Sequence, residues 1–395
     1  MAGGALAGLK VVDCTRVLGG PFCTQWLGDH GAEVVKVEPP GGDETRGWGP
    51  PFRDGAASYF VGVNRSKRGV ALDLRGEAGR EVLHRLLREA DVLIENFRTG
   101  TLERRGIGWE ALSARYPRLI HARLSGFGAD GPLGGLPGYD AIVQAQAGLM
   151  SVNGERGGGP LRMGVPLVDM ATGMALAFGI MAAAFERERS GRGQFVEASL
   201  YDVACALLFP HSANYFMSGA VAGRSGNPHS NVVPYDMFDC GAEKVFIGCG
   251  NDGQFRKLCA VLGDDAMAAD PRFATNADRL ANIGAMTERL VAALSGHDAA
   301  AICRKLMEAG VPAGKVAGVD EVLSAAHTRH REMVVELGGY RGAGNPVKLS
   351  RTPAAFERTP PRLGQDTRAV LAELGYDAAQ IDAMLEAGAA VAERL

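Results

Sequence analysis

Over the first 125 residues, short β-branched runs alternate with stretches of helical spacing. Residues 9–14 (LKVVDC), 33–37 (EVVKV), 91–95 (DVLIE) and 118–124 read as strands, and 21–30, 77–89 and 109–114 as helices. A further strand follows the cations of 64–74 (NRSKRGVALDL). Strand, loop, helix and strand in succession form a βαβ unit, which implies a parallel sheet with right-handed crossovers. Ligands of such sheets bind at the carboxyl ends of the strands, here around residues 16–20. The glycines there do not spell GxGxxG, so a dinucleotide is not indicated. Residues 39–55 hold too much Pro and Gly for regular structure, and a connection of that length is expected to be functional.

The pattern changes in residues 164–194, GVPLVDMATGMALAFGIMAAAFERERSGRGQ. One carboxylate, Asp169, stands between an apolar lead-in and the run of small and apolar side chains from Met170 to Phe185. Beyond Phe185 come Glu186, Arg187, Glu188 and Arg189, then Gly191, which reads as a helix running out into water and stopping. The run is shorter than a bilayer demands, rich in Ala and Gly, and interrupted by Thr172, so no membrane span is expected. An unpaired charge next to such a run needs a reason. Asp169 reads either as the cap of this helix or as a nucleophile, kept ionised by the helix N-terminus against the upward pull of burial.

Downstream, residues 195–198 suggest a strand and 201–217 a helix. The polar, Gly-rich stretch after residue 220 marks a boundary. Segments 231–239 and 244–248 read as a hairpin and 254–262, 284–294 and 297–309 as helices, a small α+β module. Strands are expected again at 332–337 and 346–349, before a C-terminal helical pair. The organisation is therefore a large part over 1–220, a small α+β domain over 221–328, and a segment over 329–395 that returns to the large part.

With 42 basic and 45 acidic residues the chain has no field to draw nucleic acid or an anionic membrane. Its seven cysteines include no CxxC pair, which disfavours zinc knuckles and disulfide frameworks and fits a reducing cytoplasm. The N-terminal MAGGALAGLK lacks the basic and long apolar regions of a secretory leader and reads as a short, poorly ordered tail. His327 and His330 have helical metal-pair spacing, but no carboxylate or cysteine completes a site, and no metal is expected. No GxSxG elbow is present. Arg65, Lys67, Arg68, Arg75, Arg98, Arg104 and Arg105 recur at or near strand ends. Taken singly they fit a solvated face; their repetition points to an anionic ligand with several phosphates.

These blocks together resemble the family III CoA-transferases, the CaiB/BaiF family. The likeness rests on LKVVDCTRVLGGPFCTQWLGDHGAEVVKVEPPGGD, VNRSKRGVALDL, DVLIENFRTGTLERRGI, SGFGADGPLGGLPGYDAIVQAQAGLM, Asp169 with its helix and SGRGQ, VPYDMFD, DPRFATNADRLAN, GVPAG and the terminal LGQDT. The resemblance implies an α/β fold: a Rossmann-like large domain formed by both termini, a small α+β domain, and an interlocked, ring-like homodimer. It implies that Asp169 attacks an acyl-CoA thioester to give an aspartyl anhydride and then an aspartyl-CoA thioester. CoA contacts would fall on Val17, Leu18, Leu72, Asp73, Arg75, Asn96, Phe97, Arg98, Arg104, Tyr139 and Asp140. Gly248, Gly250, Asn251, Gly253 and Gln254 match a glycine loop that covers the active site in some relatives, although the unbroken glycine run of the formyl-CoA enzyme is missing.

The same fold also serves α-methylacyl-CoA racemases, whose branch has His before Asp where this chain has Tyr139 and Asp140. A tyrosine with a reference pKa near 10 is a poor base at neutral pH, which favours transfer. A catalytically silent CoA-binding protein is the remaining alternative. The blocks look most like the branch that moves CoA from succinyl-CoA to small dicarboxylates such as glutarate or itaconate.

Overall fold

The computed structural model describes residues 4–393. Part of the expected N-terminal tail, residues 1–3, lies outside them. From residue 4 onward the tail expectation gives way: residues 5–8 form turns, and the Leu6 amide donates to the His30 carbonyl. The chain forms two compact units, one of residues 4–149, 162–213 and 326–393, the other of 150–161 and 214–325.

The first unit is built on a seven-stranded sheet. Its strands are β1 (Lys10–Cys14), β2 (Glu33–Glu38), β3 (Lys67–Leu72), β4 (Val92–Glu95), β5 (Ile120–Ser125) and β6 (Phe195–Ser199), with a short edge strand, Ala390–Val391. They lie in the order edge strand, β3, β2, β1, β4, β5, β6. All pairings are parallel except that of the edge strand. The order reverses between β1 and β4, which opens a crevice beyond their carboxyl ends.

Because strand side chains alternate, β1 sends Val11 to one layer and Val12 to the other. Val11, Val34, Val92, Ile94 and Ile120 share one buried cluster with Cys23 and Leu27 of the helix Gly19–Asp29 and with Val168, Leu176 and Ile180 of the helix Leu167–Ser190. Val12, Val70, Leu72 and Leu93 pack against Val82, Leu83 and Leu87 of the helix Glu77–Glu89, and against Val370 and Leu371 near the C-terminus. Both faces of the sheet are covered, hence the near-continuous apolar strands.

Charges break that rule in three central strands. Asp13 of β1, Lys36 of β2 and Lys67 of β3 are almost wholly buried. Lys67 Nζ donates to Asp13 Oδ2 at 3.0 Å, to Asn64 Oδ1 and to the Pro21 carbonyl. Lys36 Nζ donates to the Thr15 carbonyl at 2.8 Å and meets Asp43 Oδ2 at 3.4 Å. Burial pushes the Asp13 carboxyl up, but Lys67 and Lys36 beside it and hydrogen bonds from Thr15 and Thr24 bring it well below the usual carboxylate range.

This network corrects one expectation. Arg65, Lys67 and Arg68 are structural rather than phosphate-facing: Arg65 forms a bidentate pair with buried Asp29, Lys67 holds Asp13, and Arg68 pairs with Glu373. They cluster at the amino end of β3, away from the crevice.

Other boundaries also differ. Residues 39–55 are not irregular throughout: Glu44–Gly47 is a 3-10 turn capped by Asp43, and Phe52–Arg53 pairs with Ala56–Ala57. The single helix expected over 201–217 is two, Leu200–Leu207 and His211–Ser218, because Pro210 has no amide to continue the first. Residues 346–349 are not a strand; the partner of Val334–Leu337 is Tyr340–Ala343.

The second unit holds an antiparallel sheet of β7 (Tyr235–Cys240), β8 (Glu243–Gly248) and β9 (Ala313–Lys315). Helices Asp252–Leu262, Ile283–Leu294 and Ala299–Glu308 pack on it through Phe255, Leu258, Leu290 and Leu306. It also gathers in residues 150–161, which the sequence placed with the large part. Gly226 and Arg224 tie them down by hydrogen bonds to the Gly154 and Gly158 carbonyls.

Lys67→Met leaves Asp13 buried with one cation fewer, so urea unfolding is expected to show a loss of about 3–5 kcal/mol. Adding Asp13→Asn should recover part of that loss; equal losses for the single and double variants would show the pair to be uncoupled.

Candidate active site

The loop that leaves β1 is shaped by charges on either side. Asp13 Oδ1 accepts from the Thr15 amide and hydroxyl. Lys36 holds the Thr15 carbonyl, and the Val17 amide donates to both Asp43 oxygens at 3.3 and 3.4 Å. Val17 is thereby kept at φ 69°, a region that a β-branched side chain rarely adopts and that marks stored strain. Across the crevice, after β4, Asn96 clamps the same loop. Its Oδ1 accepts from the Arg16 amide at 3.0 Å and its Nδ2 donates to the Arg16 carbonyl at 2.8 Å. Glu95 in turn accepts from the Phe97 amide and from Arg123 Nε.

A cavity of about 200 Å³ opens at this point. Its wall includes Val17, Leu18, Asn96, Phe97, Arg98, Tyr139 and Asp169. The structure thus brings seven of the residues named from sequence into one wall. Leu72, Asp73, Arg75, Arg104 and Asp140 are not part of it. The Leu72 side chain is buried in the core, Arg75 pairs with Asp73 in solvent, and Arg104 is exposed and donates to Thr101.

Asp169 lies in the first turn of the helix Leu167–Ser190, whose N-cap is Pro166. It is therefore not the cap. That role falls to Asp140, whose Oδ2 accepts from the Val168 and Asp169 amides at 2.8 and 3.0 Å. Gln144 Nε2 donates to the other oxygen of Asp140 at 2.6 Å. Relieved of capping, the Asp169 carboxylate has no hydrogen bond among the described residues, although the residue is only 8% exposed. Burial, and then the charge of Asp140, push its carboxyl up to about 7. The helix packs very closely at this end: a Cβ on Gly19 would lie 3.0 Å from the Asp169 carbonyl oxygen, and one on Gly173 would lie 2.5 Å from the Gly19 carbonyl.

By length and composition alone the helix is long and apolar enough to cross a membrane. Its buried face is nevertheless that of a core element: Asp169, Thr172, Gly173, Leu176, Ile180, Ala183 and Arg187 recur at helical spacing, and Arg187 pairs with Asp91. The opposite face exposes Phe178 and Phe185, 77% and 70% accessible.

Sequence reasoning placed ligands around residues 16–20 without naming Arg16 as a contact, and it passed over Glu44 and Tyr59. Arg16 and Glu44 line the cavity wall, with Arg16 Nη1 3.6 Å from Glu44 Oε1. Burial, and then the charges of Asp169 and Asp140, push the Tyr59 hydroxyl up. Only Arg16 had a local signal, its place just after β1; Glu44 and Tyr59 arrive through tertiary folding of the long loop. The glycine loop lies in the second unit, where Asn251 caps the helix Asp252–Leu262 through the Gln254 amide. Gln254 Oε1 accepts from the Gly250 amide, and Gly248 ends β8. Gly253 lies in the first turn of that helix. Among the described residues no cluster of His, Cys, Asp and Glu is placed to hold a metal.

Comparison with known proteins extends this picture. The family model described as CoA-transferase family III matches residues 6–367. The chain is 38% identical over 381 residues to the succinate–glutarate CoA-transferase of Agrobacterium fabrum, covering 93% of this chain and 95% of that one. It is 42% identical over 357 residues to the acetyl-CoA:oxalate CoA-transferase of Acetobacter aceti, covering 90% and 92%. The crystal structure of a CaiB/BaiF family protein from Brucella suis superposes with a TM-score of 0.88 at 39% identity, covering 94% of this chain and all of that one.

Asp169 should titrate near pH 7 when followed by NMR of carboxyl-labelled aspartate. In Asp140→Asn a like charge is gone and the titration should move to lower pH; an unchanged midpoint would remove Asp140 from the account.

Proposed function

The chain belongs to CoA-transferase family III and is a CoA-transferase; from that premise, we propose that it moves CoA from succinyl-CoA to a small dicarboxylic acid such as glutarate through Asp169. The observation that carries the reading is a buried carboxylate, free of hydrogen bonds among the described residues, in the cavity at the strand-order reversal. The dicarboxylate class is supported by the names of the relatives, which act on glutarate and on oxalate.

Ionised Asp169 attacks the thioester carbonyl and expels CoA thiolate, leaving a mixed anhydride on the enzyme. The thiolate attacks the aspartyl carbonyl and releases the donor acid as its carboxylate, which leaves an aspartyl-CoA thioester. The acceptor carboxylate attacks that carbonyl and again expels thiolate. Thiolate attack on the acceptor's acyl carbon then forms the product and frees Asp169. Every step exchanges one activated acyl group for another, so covalent catalysis conserves the thioester free energy only where water is kept out. Val168 beside Asp169, and Leu18 and Leu124 in the cavity wall with it, supply apolar surroundings.

In this reading Arg98, in the cavity wall, and Arg104 and Arg75, exposed outside it, pair with CoA phosphates. The Phe178 and Phe185 face meets a second copy in an interlocked homodimer. The free cysteines support a reducing, cytoplasmic setting.

Incubation with succinyl-CoA followed by hydroxylamine should trap a hydroxamate at Asp169, and Asp169→Ala should lose both the adduct and at least about 10³-fold in turnover. Acylation should fall tenfold per pH unit below about 7, since the protonated carboxyl is not a nucleophile. Deuterium washing into the acyl α-carbon without any acceptor, with no adduct formed, would point to racemisation instead.

A further inference from the structure

A dicarboxylate acceptor reacts through one carboxylate and carries the other, still ionised, into a cavity that already holds Asp169. The second charge needs a cation close to the nucleophile but not committed to a carboxylate. Most cations around the first unit's sheet fail that test. Arg46, Arg65, Arg123 and Lys67 are bound to Glu38, Asp29, Glu95 and Asp13 at 3.0 Å or less. Two arginines in the cavity wall are not held in this way, Arg16 and Arg98.

They sit on different loops, Arg16 after β1 and Arg98 after β4. Arg98, assigned above to a CoA phosphate, adjoins Thr99, which faces Gly135 of the glycine-rich loop after β5. Arg16 stands three residues before Gly19, whose Cβ position lies 3.6 Å from Asp169 Oδ1, and it faces the loop bearing Glu44. Its main chain is held at both amide and carbonyl by Asn96, so the stem is fixed while the head is not. The 3.6 Å approach to Glu44 is longer than the 2.7–2.9 Å of a charge-assisted hydrogen bond, and both side chains are partly exposed, 47% and 39%. Such a loose pair costs little to part.

We propose that Arg16 binds the distal, non-reacting carboxylate of the acceptor, leaving Glu44 to do so, and thereby sets the preference for dicarboxylic acids. The assignment rests on the dicarboxylate reading above. The guanidinium fork matches a carboxylate bidentately, and its fixed stem holds the acceptor with its other end toward Asp169. Glu44 keeps the charge of Arg16 balanced when no acceptor is bound, and its repulsion disfavours a carboxylate that Arg16 has not engaged.

The test compares glutarate with its monomethyl ester, equal in chain length and one charge poorer, with succinyl-CoA as donor. The readout is the ratio of kcat/KM for the two acceptors. Arg16→Gln should lower the glutarate-to-ester ratio about tenfold or more, the size expected for loss of a hydrogen bond between charged groups. Arg16→Lys should fall between, Arg98→Gln should leave the ratio alone while raising KM for the donor, and Glu44→Gln should lower KM for glutarate. A ratio unchanged in Arg16→Gln, or a loss of glutarate in Glu44→Gln equal to that in Arg16→Gln, would overturn the assignment. A wild-type protein that forms the Asp169 adduct but turns over neither glutarate nor other dicarboxylates would instead overturn the dicarboxylate reading, and this inference with it. Thermal melting of each variant separates a folding defect from a change in preference.

Discussion

Three charges buried in the middle of a parallel sheet, Asp13, Lys36 and Lys67, set the position of everything the site uses. Buried ions are expensive, and replacing them by apolar groups is often neutral or stabilising. Their return here is geometric. Asp13 and Lys36 face each other in register on adjacent strands and grip Thr15 from both sides, through its amide and hydroxyl and through its carbonyl. Asp43, bound to Lys36, takes the Val17 amide and keeps that residue at positive φ. The strained loop is thus over-determined from beneath by strands and from across the crevice by Asn96. Without the network, Val17 has no reason to leave the extended region, and the wall of the cavity would be built differently.

The second constraint is the division of labour between two carboxylates at one helix end. A helix N-terminus offers amides that some acceptor must take. Had Asp169 taken them, it would be held by hydrogen bonds and poorly placed to react. Asp140 takes them instead. The dipole of the helix favours an anion at Asp169 by about 0.3–1 kcal/mol. A rise to about 7 amounts to roughly 4 kcal/mol in the other direction at 1.36 kcal/mol per unit, so burial and Asp140 outweigh the dipole. Asp169 is left balanced near neutrality, where ionised and neutral forms are both present.

Much of this could be read from residue order. The strands show in their β-branched runs, the helix Glu77–Glu89 in its apolar spacing, and Asp169 as a lone charge in an apolar stretch. What escaped depends on partners far along the chain. Arg65 and Lys67 look like a phosphate cluster until Asp29 and Asp13 are seen beside them, 36 and 54 residues away. Asp169 looks like a cap until Asp140 arrives from 29 residues upstream to cap the helix. Residues 150–161 carry no local mark of the unit they join, because their ties run to Arg224 and Gly226. Pro210, in contrast, was legible, and the continuous helix drawn through it neglected a local rule.

The two faces of the helix Leu167–Ser190 bring these constraints together. Its inner face must be small where it meets Gly19, apolar where it meets β5 and β6, and charged at each end. That pattern already explains Asp169 and Arg187. It does not explain Phe178 and Phe185, which are large, apolar and turned outward. A helix that is apolar all round is ordinarily buried on all sides, whereas this one leaves its outer face open. The same outer face carries Met174 and Phe178, five and nine residues beyond Asp169, so a cover over it would also keep water from the helix that carries Asp169. A cover over that face would add to the dryness that the chain's own core gives Asp169.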